Sequence, residues 1–264
     1  MRRLGGMLRH EFGMSIRRRG LWIAYGLLFL FHTVLLFSPP PLGEWVDGDV
    51  ITRAELWSAA GRFLVAVNVF FPIAAGILSA DRVQRDFRTG VRELQVSTPL
   101  GTTAYVAAKY LAALASCLLP LFVWVMAVTI VMTVVGHAQA GFLYAVPVAF
   151  LAITVPAFAF VVAFSLACPL VMPLAIYQIL FTGYWFWANF VPPALFPTLN
   201  GTLFTPGGAY ALQGLFGGPV PEAYSRAPHI GAADATLNLA VLMLCVASVL
   251  VLLERALSRR GRRA

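Results

Sequence analysis

The chain has 264 residues, of which 60% are hydrophobic and 11% charged, and its formal net charge is +8. Soluble domains carry about 25% charged residues, so this composition excludes a soluble globular protein and indicates one that lies in a lipid bilayer. The arginines flank apolar runs and do not form one basic face with interleaved aromatics, which argues against nucleic acid as a partner.

The first segment, residues 1–20, predicts an amphipathic helix that lies on the inner membrane surface. Apolar residues recur there at four-residue spacing, at Leu4, Leu8, Phe12 and Ile16, and arginines occupy other positions. A plain charged tail is the alternative interpretation. The apolar run that follows is too long and lacks a small-residue cleavage pattern, so we do not expect a removable signal peptide.

Long apolar runs then predict an all-α membrane protein, since a helix of about 20 apolar residues crosses roughly 30 Å of hydrocarbon. We predict six spans, at about 21–38, 61–80, 105–135, 142–167, 170–188 and 234–253. Between the last two spans lies an outer segment, 189–233, rich in glycine, proline and apolar residues, for which we predict short re-entrant helices. A basic tail, 254–264, closes the chain, which forms one transmembrane domain.

Basic residues set the orientation, because arginine and lysine accumulate on the cytoplasmic side of a membrane. With both termini inside, sixteen of the 19 basic residues fall on cytosolic segments, and only Arg53, Arg62 and Arg226 fall outside. The expected location is therefore the plasma (inner) membrane, crossed several times, with both termini in the cytoplasm.

Signals for catalysis and for ion pathways are sparse in these spans. His32 is the one titratable residue near a span interior, and packing is the more frequent role of a lone histidine than proton relay. His10-Glu11 lacks the second histidine of a zinc-protease motif, and neither a GxSxG sequence nor a glycine-rich phosphate loop occurs. Three isolated cysteines do not suggest a metal site. We therefore predict no enzyme activity and no cofactor in this chain.

The polar segment between spans two and three, residues 81–104, stands out in so apolar a chain. As a helix over 81–94 it would align Val83, Phe87, Val91 and Leu94 in one apolar stripe and leave charged residues around the remaining surface. The alternative is a solvated cytosolic loop. The charged residues and turn formers that we single out as a docking element are Asp81, Arg82, Arg85, Asp86, Arg88, Gly90, Glu93 and Pro99.

This arrangement resembles the permease subunits of ABC-2 type exporters. The family's loose pattern of an acidic residue, Arg, Gly, Glu-Leu, Thr-Pro, Tyr and Lys is matched at Asp86, Arg88, Gly90, Glu93-Leu94, Thr98-Pro99, Tyr105 and Lys109. The basic entry into span one, Arg17-Arg18-Arg19-Gly20-Leu21-Trp22, is similar as well. The chain departs from the family at Leu94-Gln95, where Leu-Leu is frequent.

The resemblance implies a membrane-spanning subunit of an ATP-driven exporter. A separate nucleotide-binding subunit, which would hold ATP and Mg, would dock on residues of roughly 81–93. A second copy, or a related permease, would complete the translocation pathway. An amphiphilic, lipid-like or peptide cargo is expected from the apolar spans. Asp86→Arg and Glu93→Arg are expected to weaken coupling to the ATPase without preventing membrane insertion.

Two other functions remain open from the sequence. A gradient-driven secondary carrier would need ionisable residues within the spans, and a scaffold or assembly factor would need no pathway at all. The presence of an ATPase gene beside this one, or co-purification of such a subunit, would separate the exporter from both.

Overall fold

A computed structural model describes residues 2–37, 52–90, 101–135, 139–219 and 230–261. Within these ranges the chain forms helices, turns and irregular connections and contains no β-strand, which confirms the all-α class. The helices are α1 (Arg2–Ile16), α2 (Arg19–Phe37), α3 (Arg53–Val67), α4 (Phe71–Ser79), α5 (Arg82–Arg88), α6 (Thr102–Val134), α7 (Phe142–Ala149), α8 (Val155–Ala167), α9 (Leu174–Asn189), α10 (Ala209–Phe216) and α11 (Ala232–Gly261).

Four helical stretches are long and apolar enough to cross a membrane: Arg19–Leu36, Thr102–Val134, Phe142–Leu170 and Ala232–Arg259. They coincide with the first, third, fourth and sixth predicted spans. The third of these stretches joins α7 to α8 through a π-helical turn, Phe150–Thr154, and ends in a 3₁₀ turn, Cys168–Leu170. That turn lies at the predicted boundary between spans four and five.

The predicted span 61–80 differs from the structure, which has two helices there, bent by 42° at a short break. The first, α3, begins earlier, at Arg53, because Thr52 and Glu55 form a capping box in which each side chain bonds to the other's backbone N–H. The second, α4, begins with Pro72 in its first turn, where the missing N–H costs no helical bond. Counted as one span, the bent pair brings the total in the described ranges to five.

The predicted span 170–188 is shorter than expected. Its helix, α9, begins only at Leu174, after Pro173, and has 16 residues. At 1.5 Å per residue it is about 24 Å long, less than the roughly 30 Å of a hydrocarbon core. The described residues thus support four or five spans, and the count of six stays a prediction.

The core centres on α8, which packs against α4, α6 and α11. Most of its residues are buried, and Phe158, Val161 and Val162 are inaccessible to solvent. Large aromatics complete the interior, and Trp185 of α9 donates its indole N–H to the carbonyl of Val69 at the break between α3 and α4. An apolar interior of this kind leaves polar backbone groups only at breaks and ends, where side chains must satisfy them.

The outer segment shows how that requirement is met. Its irregular backbone before α10 is covered by α11, whose buried Asn238 donates to the carbonyls of Leu203, at 2.8 Å, and Thr205, at 3.2 Å. Asn68, at the break after α3, donates in the same way to the carbonyls of Ile153 and Gly207. The short helix α10 confirms helical structure within the predicted segment 189–233, and its re-entrant placement stays a prediction.

The contact between α10 and α11 requires glycine at position 214. A Cβ there would lie 2.4 Å from the carbonyl oxygen of Gly231, a backbone atom that cannot rotate away. We expect Gly214→Ala to lower the free energy of unfolding by about 1–3 kcal/mol, the usual cost of overpacking. The measurement is thermal unfolding of the purified protein in detergent, followed by tryptophan fluorescence.

Gly183→Ala is the matched control for this prediction, because nothing lies within 4 Å of a Cβ on that helical glycine. Alanine is favoured over glycine in a helix interior by about 0.5–1 kcal/mol, so this variant should be as stable as the parent or more so. Equal stability of both variants would contradict the close approach of α10 to α11.

Candidate functional site

A buried cluster of opposite charges joins α1, α5 and α6. The Nζ atom of Lys109 lies 2.8 Å from Oε1 of Glu11 and 2.8 Å from Oδ2 of Asp86. The hydroxyl of Tyr105 donates to the same Oδ2 atom at 2.7 Å. The charged side chains are 5% exposed for Lys109, 7% for Glu11 and 10% for Asp86. We call these four residues the Lys109 cluster.

Helical spacing brings the cluster together. Tyr105 and Lys109 are four residues apart on α6 and therefore lie on one face, one turn above the other. The helix α1 packs along this part of α6 and supplies Glu11. The short helix α5 supplies Asp86 from the other side. A single cation thus holds three helices together.

A second set of polar contacts lies one turn along the same helices. Arg82 precedes Asp86 by four residues and is 4% exposed. Its guanidinium donates to the hydroxyl of Ser15 on α1 and, at 3.1 Å, to that of Ser116 on α6. Hydroxyl oxygens carry no full charge, and no carboxylate lies within ion-pair distance of Arg82 in the described part of the chain. The buried guanidinium therefore has hydrogen bonds but no ion-pair partner there.

A third contact lies nearer to solvent. Arg18, in the turn between α1 and α2, donates to the carboxylate of Asp81 at 2.8 Å, with side chains 25% and 37% exposed. Trp22, one turn later, donates its indole N–H to the carbonyl of Ile16. The junction between α1 and α2 is therefore tied to the end of α4 as well.

The predicted docking residues fall into three groups. Arg82 and Asp86 are buried, which corrects the expectation that they present charge to the cytosol, since both point towards α1 and α6. Arg85 and Arg88 are exposed, and Asp81 is partly exposed. The docking role of all these residues stays a prediction.

The predicted helix 81–94 ends earlier than expected. It stops at Arg88, because Gly90 adopts a left-handed conformation with φ of 71°, a turn that terminates helices and that glycine adopts without strain. Val83 of the predicted apolar stripe is buried and Phe87 is 37% exposed. The other two members of that stripe, Val91 and Leu94, lie outside the described residues, as do the predicted docking residues Glu93 and Pro99.

Sequence reasoning missed the contribution of α1. The apolar stripe of Leu8, Phe12 and Ile16 is only half-buried, whereas Glu11 and Ser15 between them are fully buried. Their four-residue spacing, which matches that of Arg82 and Asp86, was the available signal that the two polar side chains share one face of α1. Nothing in the sequence of α1 alone indicates that this polar pair faces protein and not water.

His32 packs among aromatic side chains. Its ring lies 5.1 Å from that of Phe71, and its Nδ1 atom is 2.9 Å from the carbonyl oxygen of Leu28 on its own helix. No carboxylate takes part in these contacts, which supports the packing role over the relay. In the described ranges, no group of three or more His, Cys, Asp or Glu residues could hold a metal ion.

Two cavities adjoin these elements. A cleft of about 660 Å³ lies between α1 and α5, over the Lys109 cluster, and is lined mainly by charged side chains. A second, of about 470 Å³, lies between α8, α9 and α11 and is lined almost wholly by aromatic and aliphatic side chains, among them Phe164, Tyr177, Phe181 and Phe204.

A family model described as ABC-2 family transporter protein matches residues 7–173, which is more than half of the chain and includes all four residues of the Lys109 cluster. No curated protein and no solved structure matches.

The Lys109 cluster generates a prediction about stability. Lys109→Met leaves Glu11 and Asp86 buried without a counterion, which typically costs about 3–5 kcal/mol. The triple variant Glu11→Gln, Asp86→Asn, Lys109→Met removes all three charges and should recover most of that loss, since neither carboxylate is then left buried without its counterion. Thermal unfolding in detergent measures both.

Arg18→Met is the control, because it breaks an ion pair that is partly exposed, and such pairs contribute about 0–1 kcal/mol. A Lys109→Met variant no less stable than Arg18→Met would show that the three helices do not depend on this cation.

Proposed function

This chain belongs to the ABC-2 transporter family, and we propose that it is the permease subunit of an ATP-driven exporter. In this proposal the chain forms the translocation pathway together with a second copy or a related permease. A separate nucleotide-binding subunit supplies the energy and holds ATP and Mg. The observation that carries the proposal is the Lys109 cluster, because it connects the short helix α5 to two other helices of the membrane domain.

We place the ATPase contact on α5 and the turn that follows it. Phe87 and Arg88, on the seven-residue helix that follows α4, are exposed there, and so is Thr89 in the turn. An exposed surface that combines an aromatic ring with an arginine has the composition of protein interfaces. The buried residues Arg82 and Asp86 have the different role of fixing α5 to the membrane domain.

The cluster explains how a displacement of α5 would reach the spans. Separating Asp86 from Lys109 leaves a largely buried carboxylate without its counterion, which is strongly unfavourable. A force on α5 therefore moves α1 and α6 with it, and does not bend α5 away. With 33 residues, α6 is long enough to carry that motion across the bilayer, as rigid-body rocking requires.

The proposed topology keeps six spans and both termini in the cytosol. Support comes from the distribution of arginine and lysine, sixteen on the inner side against three outside, and from the apolar helices of the described ranges. The helix α9 would serve as the fifth span, with the outer segment before α10 completing its passage. The protein would then lie in the plasma (inner) membrane.

For the cargo, we propose an amphiphilic molecule, either lipid-like or a peptide. The cavity between α8, α9 and α11 supports an apolar portion, since about 470 Å³ is enough for a branched or linear hydrocarbon chain and its walls offer few polar groups. An inorganic ion would find no charged ligand among those lining residues.

The ATPase contact can be tested with Arg88→Glu, which reverses an exposed charge on α5 that takes no part in the buried cluster. We expect the affinity-purified protein, expressed in its own cells, to retain an ATP-hydrolysing subunit, identified by mass spectrometry. The variant should retain at least tenfold less, because a like-charge contact at an interface costs several kcal/mol and about 1.4 kcal/mol already corresponds to a factor of ten. Yield and thermal stability of the variant should equal those of the parent.

Arg255→Glu on α11 is the matched control, with an exposed arginine at another point of the predicted cytosolic surface. Equal recovery of the ATPase with both variants, or no ATPase with the parent, would contradict the proposed contact. Asp86→Arg is a poorer test, since it would put a third cation beside Arg82 and Lys109 and destabilise the fold itself.

A further inference from the structure

The cleft between α1 and α5 has more positive than negative charge on its walls. It has a volume of about 660 Å³ and adjoins the Lys109 cluster. The charged residues that line it are Arg17, Arg18, Arg82, Arg85 and Lys109, with the carboxylates of Glu11 and Asp86. His10 and the hydroxyl residues Ser15 and Thr89 complete the polar part of the wall.

Both carboxylates are already bound. Glu11 and Asp86 contact Lys109, and Arg18 is paired with Asp81 outside the cleft. Three lining arginines, at positions 17, 82 and 85, therefore have no carboxylate within ion-pair distance in the ranges that the structure describes.

Arg82 makes this excess significant. A buried charge is stable only when it is paired or well hydrogen-bonded, and Arg82 is 4% exposed. Its guanidinium donates hydrogen bonds to the hydroxyls of Ser15 and Ser116. Its Nε atom is buried and has no acceptor in the described part of the chain. An anion in the cleft would supply the missing counter-charge.

The surroundings indicate which kind of anion can reach this cleft. Its lining residue Arg18 immediately precedes the first apolar helix, on which Trp22 and Ile23 are 51% and 64% exposed. A tryptophan at the end of a spanning helix marks the level of the lipid headgroups. The cleft therefore opens where phosphate groups are most concentrated.

We propose that this cleft binds the phosphate group of an anionic phospholipid. Guanidinium groups suit a phosphate because their planar N–H donors form paired hydrogen bonds with its oxygens. Arg17 and Arg85 would contact the phosphate, and Arg82 would stabilise it through its buried charge. The inference requires that α2 crosses the bilayer, and it does not depend on the ATPase partner.

Native mass spectrometry of the purified full-length chain in detergent tests this. The probes are phosphatidylglycerol, phosphatidylcholine and inorganic phosphate, each titrated separately. We expect one phosphatidylglycerol molecule to bind in preference to phosphatidylcholine. Arg17→Gln should weaken that binding about fivefold, and the double variant Arg17→Gln, Arg85→Gln about thirtyfold, the factors that correspond to about 1 kcal/mol per basic residue at an anionic surface.

The controls are Arg255→Gln and Arg88→Gln, which remove one exposed arginine each without changing the cleft. Both should bind phosphatidylglycerol as the parent does. Competition by inorganic phosphate at similar concentrations would support the phosphate site and identify a soluble ligand as its source. Equal binding of the two lipids, or an equal loss in the control variants, would overturn the proposal. So would a double variant that binds phosphatidylglycerol normally but no longer retains the ATPase, because the cleft would then be a protein contact.

Discussion

A single buried ammonium group determines how the polar side of this protein is built. Lys109 is the only lysine of the chain, and it lies on an otherwise apolar helix, where its charge would be very unfavourable alone. Two carboxylates from two other helices neutralise it. The position of α1, of α5 and of the start of α6 follows from that requirement, because none of the three charges can leave the site by itself.

Polar groups in an apolar interior need hydrogen-bond partners as well as counter-charges. This requirement explains how the opposite side of the fold is held together. The break between α3 and α4 frees backbone groups, and the irregular outer segment frees more. Two buried asparagines, Asn68 at that break and Asn238 on α11, donate to three carbonyls of the outer segment and to the carbonyl of Ile153 in the π-helical turn. Charges join the helices on one side and neutral amides on the other, while the layer between them is almost entirely apolar.

How much of the fold the sequence predicted depends on how far apart in the chain the interacting residues are. Apolar runs long enough to cross a membrane, as in α2, α6 and α11, are local features, and the structure has them where the sequence indicates. The bend after Val67 and the late start of α9 depend on particular turn residues and on packing, so the pattern of hydrophobicity alone did not show them. For the site, the polar segment was found, but Glu11 was not, since its partner lies 98 positions away in the sequence.

The sequence by itself determined the class of protein, the lipid environment, the four long apolar helices and the place where charge is concentrated, because composition and apolar run length are properties of consecutive residues. Only the tertiary structure decided which of those charges face water. The charged residues of α5 lie close together in the sequence, which does not show which of them face water. They are Arg82, Asp86, Arg85 and Arg88. Packing against α1 and α6 buries the first two and leaves the others exposed, since a helix turns its successive faces towards different surroundings.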